Sequence, residues 1–324
     1  MSEFILHHYW PSPFAHKIRL AFGLAEVEWS SVEIPRIPPK PYLMPLTAGY
    51  RRTPVLQIGS DIYCDTQNII RTLAEKGLAS ALFPNGCKSK ALVFSSWIDE
   101  TVFELAARIV ITKSIDSAPK EFIKDRGDLY FEKGWSQESL LTKLPSVILQ
   151  LESKLQIIDD ILADEGNVFS NKLSYADISV GYLLWFLRGR WEDGPNILNK
   201  YDNILRLENQ INQLNEKLSK NLRDIDALKI AYQSSPESPN GVHNNLVTQL
   251  KIGQNICIKP KGESSDPIVT GKLRFLDSLT VSIDYNSSEA GHTAVHFPIS
   301  GYEVLAKNLH YGTLVKENNE FIGD

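Results

Sequence analysis

Cysteine is scarce in this chain. Its 324 residues include three, Cys64, Cys87 and Cys257. None forms a Cys-x-x-Cys pair and the count is odd, which argues against a disulfide framework and points to a reducing compartment, the cytoplasm. Cys64, inside an apolar run, reads as core. Positive charge is not in excess either. Against 39 Asp+Glu stand 34 Lys+Arg, for a net charge of −5, and no basic run occurs, so nucleic acid is not an expected partner. No stretch approaches the roughly eighteen apolar residues of a membrane span, so no membrane partner is expected. The start, MSEFILHHYW, enters a strand pattern at once, without the basic and apolar segments of a signal peptide. A metal-ligand set is missing as well. His292 and His296 share a strand face but stand too far apart to chelate, and no third ligand is evident. Both read as ordinary strand residues, and no metal is expected.

What the chain does contain is enough apolar residue, 43% of the total, to bury two or three cores. The densest information lies in Arg52 to Thr66. Val55 to Ile58 and Ile62 to Cys64 are short strands, and Gly59-Ser60-Asp61 has the residue types of a hairpin turn. Thr53-Pro54 opens the first strand, where a proline cannot donate to a ladder and a cis bond would turn the backbone of Val55 toward an extended peptide. Asp65-Thr66 precedes a helix through Gln67 to Lys76. A carboxylate, a hydroxyl and unpaired helix N–H groups therefore converge at one spot, suited to a zwitterionic amino-acid group. Asp and Thr are also ordinary N-caps.

Upstream, Phe4 to Tyr9 reads as a strand and Phe14 to Gly23 as a helix with Phe14, Ile18 and Ala21/Phe22 on one face. Ser12-Pro13 starts that helix as N-cap and first-turn proline. A hydroxyl there can also hydrogen-bond a thiolate, which the helix dipole stabilises further. Val27 to Ile34 is a second strand and Pro35 to Pro45 a surface loop carrying Lys40-Pro41. Strand, helix, strand, loop, hairpin, helix is a thioredoxin-like order over residues 1–80.

Residues 88–232 are helical in pattern. Lys90 to Thr112 and Leu144 to Ala163 carry long apolar stripes. Ser174-Tyr175-Ala176-Asp177 has the spacing of a capping box, and Asn203 to Tyr232 a short heptad seam on one helix packed against the bundle. Ser234 to Gly241 is a linker by composition. After it the period becomes two, with strands at 256–258, 268–275, 280–285, 292–297 and 302–305. This predicts a small all-β, SH3-like barrel over 242–324 that folds on its own. Seven Lys/Arg against nine Asp/Glu in that stretch weaken an RNA-binding reading of it.

The order and spacing of Ser12-Pro13-Phe14-Ala15, Lys40-Pro41, Pro54-Val55, Asp65-Thr66 and Ser174-Tyr175-Ala176-Asp177 resemble glutathione transferases over about 230 residues. The first of these is similar to the Cys-Pro-Phe-Ala of the omega class with serine in the cysteine position. Asp65-Thr66 stands where the family usually has Glu-Ser. The resemblance implies a thioredoxin-like α/β domain plus an all-α bundle, with the barrel as an addition. It also implies glutathione as co-substrate, held by Phe14, Lys40, Pro54, Val55, Asp65 and Thr66. Ser12 is the expected thiolate partner and Tyr9 its runner-up. A small hydrophobic electrophile is expected against Trp97, Phe103 or Arg108, and Arg51 and Arg52 are candidates for the tripeptide carboxylates. Detoxification and a homodimer are further implications, though the sequence does not set the oligomeric state. The competing reading is a catalytically weak, transferase-like scaffold whose barrel recruits a protein or RNA partner; retention of Asp65, Thr66 and Lys40 speaks for the enzyme.

Overall fold

The computed structural model describes residues 3–131, 133–243, 249–262 and 265–307. Strand β1 (Ile5–His8) lies between β2 (Trp29–Glu33), parallel to it, and β3 (Val55–Ile58), antiparallel, while β4 (Asp61–Cys64) closes the hairpin with β3. Gly59 turns the hairpin at φ +60°, a conformation that suits glycine. Helices α1 (Pro13–Leu24) and α2 (Thr66–Glu75) pack on one face of this sheet. Successive strand residues point to opposite faces. Leu6, Leu56 and Ile58 therefore join one core, whereas Ile5, Val55 and Ile62 join another.

The first core continues into the helical part: α3 (Lys88–Trp97), α4 (Phe103–Lys113), α5 (Lys120–Tyr130), α6 (Gln137–Glu165), α7 (Tyr175–Arg190), α8 (Gly194–Leu198) and α9 (Asp202–Ile211). A π-helical turn, Ile98–Val102, joins α3 to α4. The expected capping box starts α7: the Asp177 carboxylate accepts from Ser174 N at 2.8 Å, and Ser174 Oγ accepts from Ala176 N at 3.2 Å. The buried Lys17 of α1 crosses to the bundle, where Nζ donates to both Asp99 oxygens at 2.8 and 2.7 Å and to Ser95 Oγ at 2.6 Å.

One sequence expectation needs correction. The single helix over 203–232 is broken: α9 stops at Ile211, β5 (Leu218–Asn221) pairs in parallel with β2, and α10 (Asp224–Tyr232) follows. The apolar seam suggested one helix. The open edge of β2 offers residues 218–221 backbone partners that a helix would not use.

The carboxy-terminal strands follow the expected period of two. Residue ranges close to those expected form β7 (Asn255–Pro260), β8 (Val269–Leu276), β9 (Thr280–Ser287), β10 (Gly291–Pro298) and β11 (Tyr302–Ala306), with a short β6 (Gly241–Val242) beside β8. Together they are the expected additional all-β unit, a run β11-β7-β8-β9-β10 in which the last strand in the chain, β11, pairs with the first of the run's long strands, β7. β10 pairs in parallel with β4, at Val295 opposite Ile62, and makes one continuous sheet in the order β11-β7-β8-β9-β10-β4-β3-β1-β2-β5. Ile256, Leu273, Ile283 and Phe297 of these strands share the second core with Ile5, Val55 and Ile62. The end of the expected 242–324 unit, after Lys307, lies outside the described residues.

His296, expected to be an ordinary strand residue, ties this seam together. Its Nε2 lies 3.0 Å from Asp61 Oδ1 and its Nδ1 2.6 Å from Ser282 Oγ, with Tyr63 stacked on the ring at 4.5 Å. Asp61 also accepts from the backbone N–H of Glu237 at 2.8 Å, so the segment read as a flexible linker is fastened to the sheet.

Candidate functional site

A cavity of about 580 Å³ opens where the start of α1, the start of α2, the loop before β3, the π turn and α5 meet the carboxy-terminal strands. Ser12 stands at its inner wall. It is the N-cap of α1, almost fully buried, and its Oγ accepts from Ala15 N at 3.2 Å, so the hydroxyl proton remains for a ligand. Tyr9, at the end of β1, also lines the cavity, and its hydroxyl oxygen accepts from Arg126 at 3.1 Å.

Asp65 caps α2 from an unusual backbone, φ 75° and ψ 141°, a region that non-glycine residues rarely occupy. Such a conformation costs on the order of 1–3 kcal/mol and persists where surrounding contacts impose it, most often at functional sites. One carboxylate oxygen accepts from Gln67 N at 2.9 Å and the other from the Tyr302 hydroxyl at 3.2 Å. Burial raises its pKa above the ordinary carboxylate range, reinforced by nearby Asp99 and opposed by Gln67 N–H, Arg52 and Tyr302. Thr66, one residue on, lines the same wall.

Lys40 lies across the cavity, held by Nζ donating to Arg51 O at 2.8 Å and Thr53 Oγ1 at 3.0 Å. Burial, with Arg126 and Arg51 adding repulsion, pushes its pKa down to about 7. Pro54, whose peptide bond with Thr53 is cis, and Phe14 complete this side. Phe103 faces Phe14 edge-on at 4.6 Å and packs against Tyr130 at 6.0 Å, giving the cavity an aromatic flank.

Ten of the thirteen residues singled out from the sequence therefore line one cavity: Tyr9, Ser12, Phe14, Lys40, Arg51, Arg52, Pro54, Asp65, Thr66 and Phe103. Three do not. The Val55 side chain is buried in the second core, Trp97 packs on Phe94 at 5.5 Å, and Arg108 pairs with Glu104 and covers the Phe131 ring. Arg51 and Arg52 do line the cavity, but both are engaged by the nearly buried Asp266, and Arg51 also by Asp125.

The solved structure of a GST-like protein from Pseudomonas syringae is 31% identical, covers 95% of this chain and all of its own, and superposes with a TM-score of 0.70. The chain belongs to the glutathione S-transferase family. Family models for the glutathione S-transferase N-terminal and C-terminal domains match residues 11–76 and 138–207 of this transferase-family chain. It is 26% identical over 128 residues to a probable glutathione S-transferase, parA, of Nicotiana tabacum, a match spanning 38% of this chain and 58% of the tobacco protein. It is 23% identical over 191 residues to glutathione S-transferase U22 of Arabidopsis thaliana, spanning 57% of this chain and 74% of that protein. Poplar glutathione transferase F1 shares the fold at 16% identity and a TM-score of 0.50, over 66% of this chain and 94% of its own.

Sequence reasoning missed several cavity residues of this family member. Arg126 and Tyr130 come from α5, a short polar helix with little apolar periodicity. Asp99 faces the cavity from the π turn, and its signal was Lys17, a lysine next to the apolar stripe of α1 that needs a buried anion. Tyr302, Lys261 and Gly301 come from the carboxy-terminal part of the chain, roughly 200 residues or more after Asp65, where no local pattern indicates the contact. Tyr302 and Tyr50 lie hydroxyl to hydroxyl at 3.1 Å, and burial raises both phenols' pKa well above the usual value, so each keeps its proton. Among the described residues no group of three or more His, Cys, Asp or Glu could hold a metal ion, and no helix is long and apolar enough to cross a membrane.

Proposed function

We propose that this chain transfers the thiolate of glutathione to a small hydrophobic electrophile, with Ser12 stabilising the thiolate. One observation carries the reading: the N-terminus of α1 with its Ser12 hydroxyl, the Asp65-Thr66 start of α2, and Lys40 face the same cavity. Glutathione has a thiol between an ammonium-bearing γ-glutamyl end and a glycyl carboxylate. In this reading Asp65 is the counterpart of the ammonium, Lys40 and Arg126 are cations for the carboxylate, and Ser12 is the partner of the sulfur. Lowering a thiol pKa from about 9 to 6–7 takes roughly 3 kcal/mol of differential stabilisation at 1.36 kcal/mol per unit. One hydroxyl hydrogen bond to a charged sulfur and a helix N-terminus together supply about that much.

The electrophile then lies against Phe14, Phe103 and Tyr130, within reach of the sulfur. Its carbon forms the S–C bond while a leaving group departs with its electron pair, or an activated double bond takes up the electrons. Serine cannot form the mixed disulfide that a cysteine at this place would, so disulfide reduction should be poor.

Retention on immobilised glutathione with elution by the free tripeptide tests the binding. Rates with an aryl halide and with a mixed disulfide test the reaction type. Failure to bind glutathione would sink the reading. A mixed disulfide reduced faster than the aryl halide reacts would contradict the assigned chemistry.

A further inference from the structure

The six residues Pro260, Lys261, Gly262, Ser300, Gly301 and Tyr302 line the cavity, and all come from the carboxy-terminal strands or their connections. They belong to a sheet joined to the thioredoxin-like strands through the β10–β4 pairing. Asp266, from the same region, holds Arg51 and Arg52 at 3.1 and 2.6 Å, immediately before the cis Thr53-Pro54 peptide. Tyr302, the first residue of β11, donates to Asp65 while Tyr50 contacts its hydroxyl.

We propose that the carboxy-terminal strands complete the tripeptide site, with Tyr302 as the residue that positions the Asp65 carboxylate for the γ-glutamyl ammonium. The inference rests on the function proposed above. A partly buried carboxylate has several acceptor directions, and Gln67 N fixes only one oxygen. Tyr302 fixes the other, so the acid faces the cavity in a set rotamer and the ordering is done before the ligand arrives. Ser300 and Gly301, immediately before Tyr302, also line the cavity, so the proposal includes the β10–β11 turn in the tripeptide site.

The test uses the full chain and two unreactive ligands, S-methylglutathione and its analogue lacking the γ-glutamyl amino group. Tyr302→Phe keeps the ring contacts with Tyr50 and Phe297 and removes only the hydroxyl. It should weaken S-methylglutathione about tenfold by calorimetry and leave the analogue's affinity unchanged. Equal weakening of both ligands, or of neither, overturns the proposal and leaves the glutathione reading standing. If the wild-type chain binds neither ligand, both fail together. A measurement needing no variant is amide hydrogen exchange. S-methylglutathione should slow exchange across Ser300–Ala306 of the wild-type chain, and unchanged exchange there would count against the proposal even if Tyr302→Phe failed to fold.

Discussion

Lys40, proposed as a cation for the glycyl carboxylate, has its pKa pushed down to about 7, so its charge changes near neutral pH. Below that value the ammonium is present and attracts the glycyl carboxylate; above it the amine is neutral and the attraction is lost. Affinity for S-methylglutathione, which has no thiol to titrate, should fall several-fold as pH rises from about 6 to 8.5. Lys40→Met should bind more weakly and show a flat profile. An unchanged pH profile in Lys40→Met would place the titration elsewhere. Lys17 poses a different question. Its fully buried ammonium is offset by Asp99, Ser95 and two tyrosine rings. Asp99→Ala would leave that charge unpaired and should cost about 3–5 kcal/mol in chemical denaturation. A loss below about 1 kcal/mol would mean that the lysine finds water instead.

Among the elements, those with a local cause were legible in the sequence. Ser12-Pro13 and Ser174–Asp177 mark helix starts through caps that need only neighbouring residues, and the five carboxy-terminal strands follow their period of two. Where a partner distant in sequence decided the outcome, the pattern failed. Residues 218–221 took the β2 edge and broke an expected helix, and β10 took the β4 edge, a pairing that no local pattern indicates. For the same reason most of the Ser12–Lys40–Asp65 arrangement could be found, whereas Tyr302 and Arg126 could not. The β10–β4 seam carries its own prediction. Burial works against the Asp61 carboxylate, but His296, Ser238 and Glu237 N–H more than offset it and hold its pKa below the ordinary value. The folded-state pKa is the lower one, so the stabilisation is present above the unfolded value of about 3.9 and is lost as pH falls through the folded value. Asp61→Ala should lower stability by about 3 kcal/mol at neutral pH and lose the part of the acid transition due to this group.

At the scale of the whole molecule, the second core is shared between the amino-terminal strands, α10 and the carboxy-terminal sheet. Truncation after Tyr232 would bare Ile5, Val32, Val55 and Ile62 to water and open the β4 edge, so the shortened chain should aggregate or bind a hydrophobic dye. A soluble monomeric truncation with wild-type melting would contradict the shared core and restore the view of an independent domain. The same unit contributes six residues to the cavity wall, so stability and glutathione affinity should decline together when it is damaged.

The central claim is that Ser12 at the start of α1 makes the thiolate of bound glutathione. The most direct measurement is the thiolate absorbance of the glutathione complex titrated against pH, in wild type, Ser12→Ala and Tyr9→Phe. The wild-type complex should titrate about two to three units below free glutathione, and Ser12→Ala should return about one of them and slow addition to an aryl halide about 10-fold to 100-fold. Tyr9→Phe should stay within a few tenths of a unit of wild type. If Ser12→Ala titrates as wild type does while Tyr9→Phe loses the shift, Tyr9 is the thiol's partner and Ser12 is only the cap of its helix.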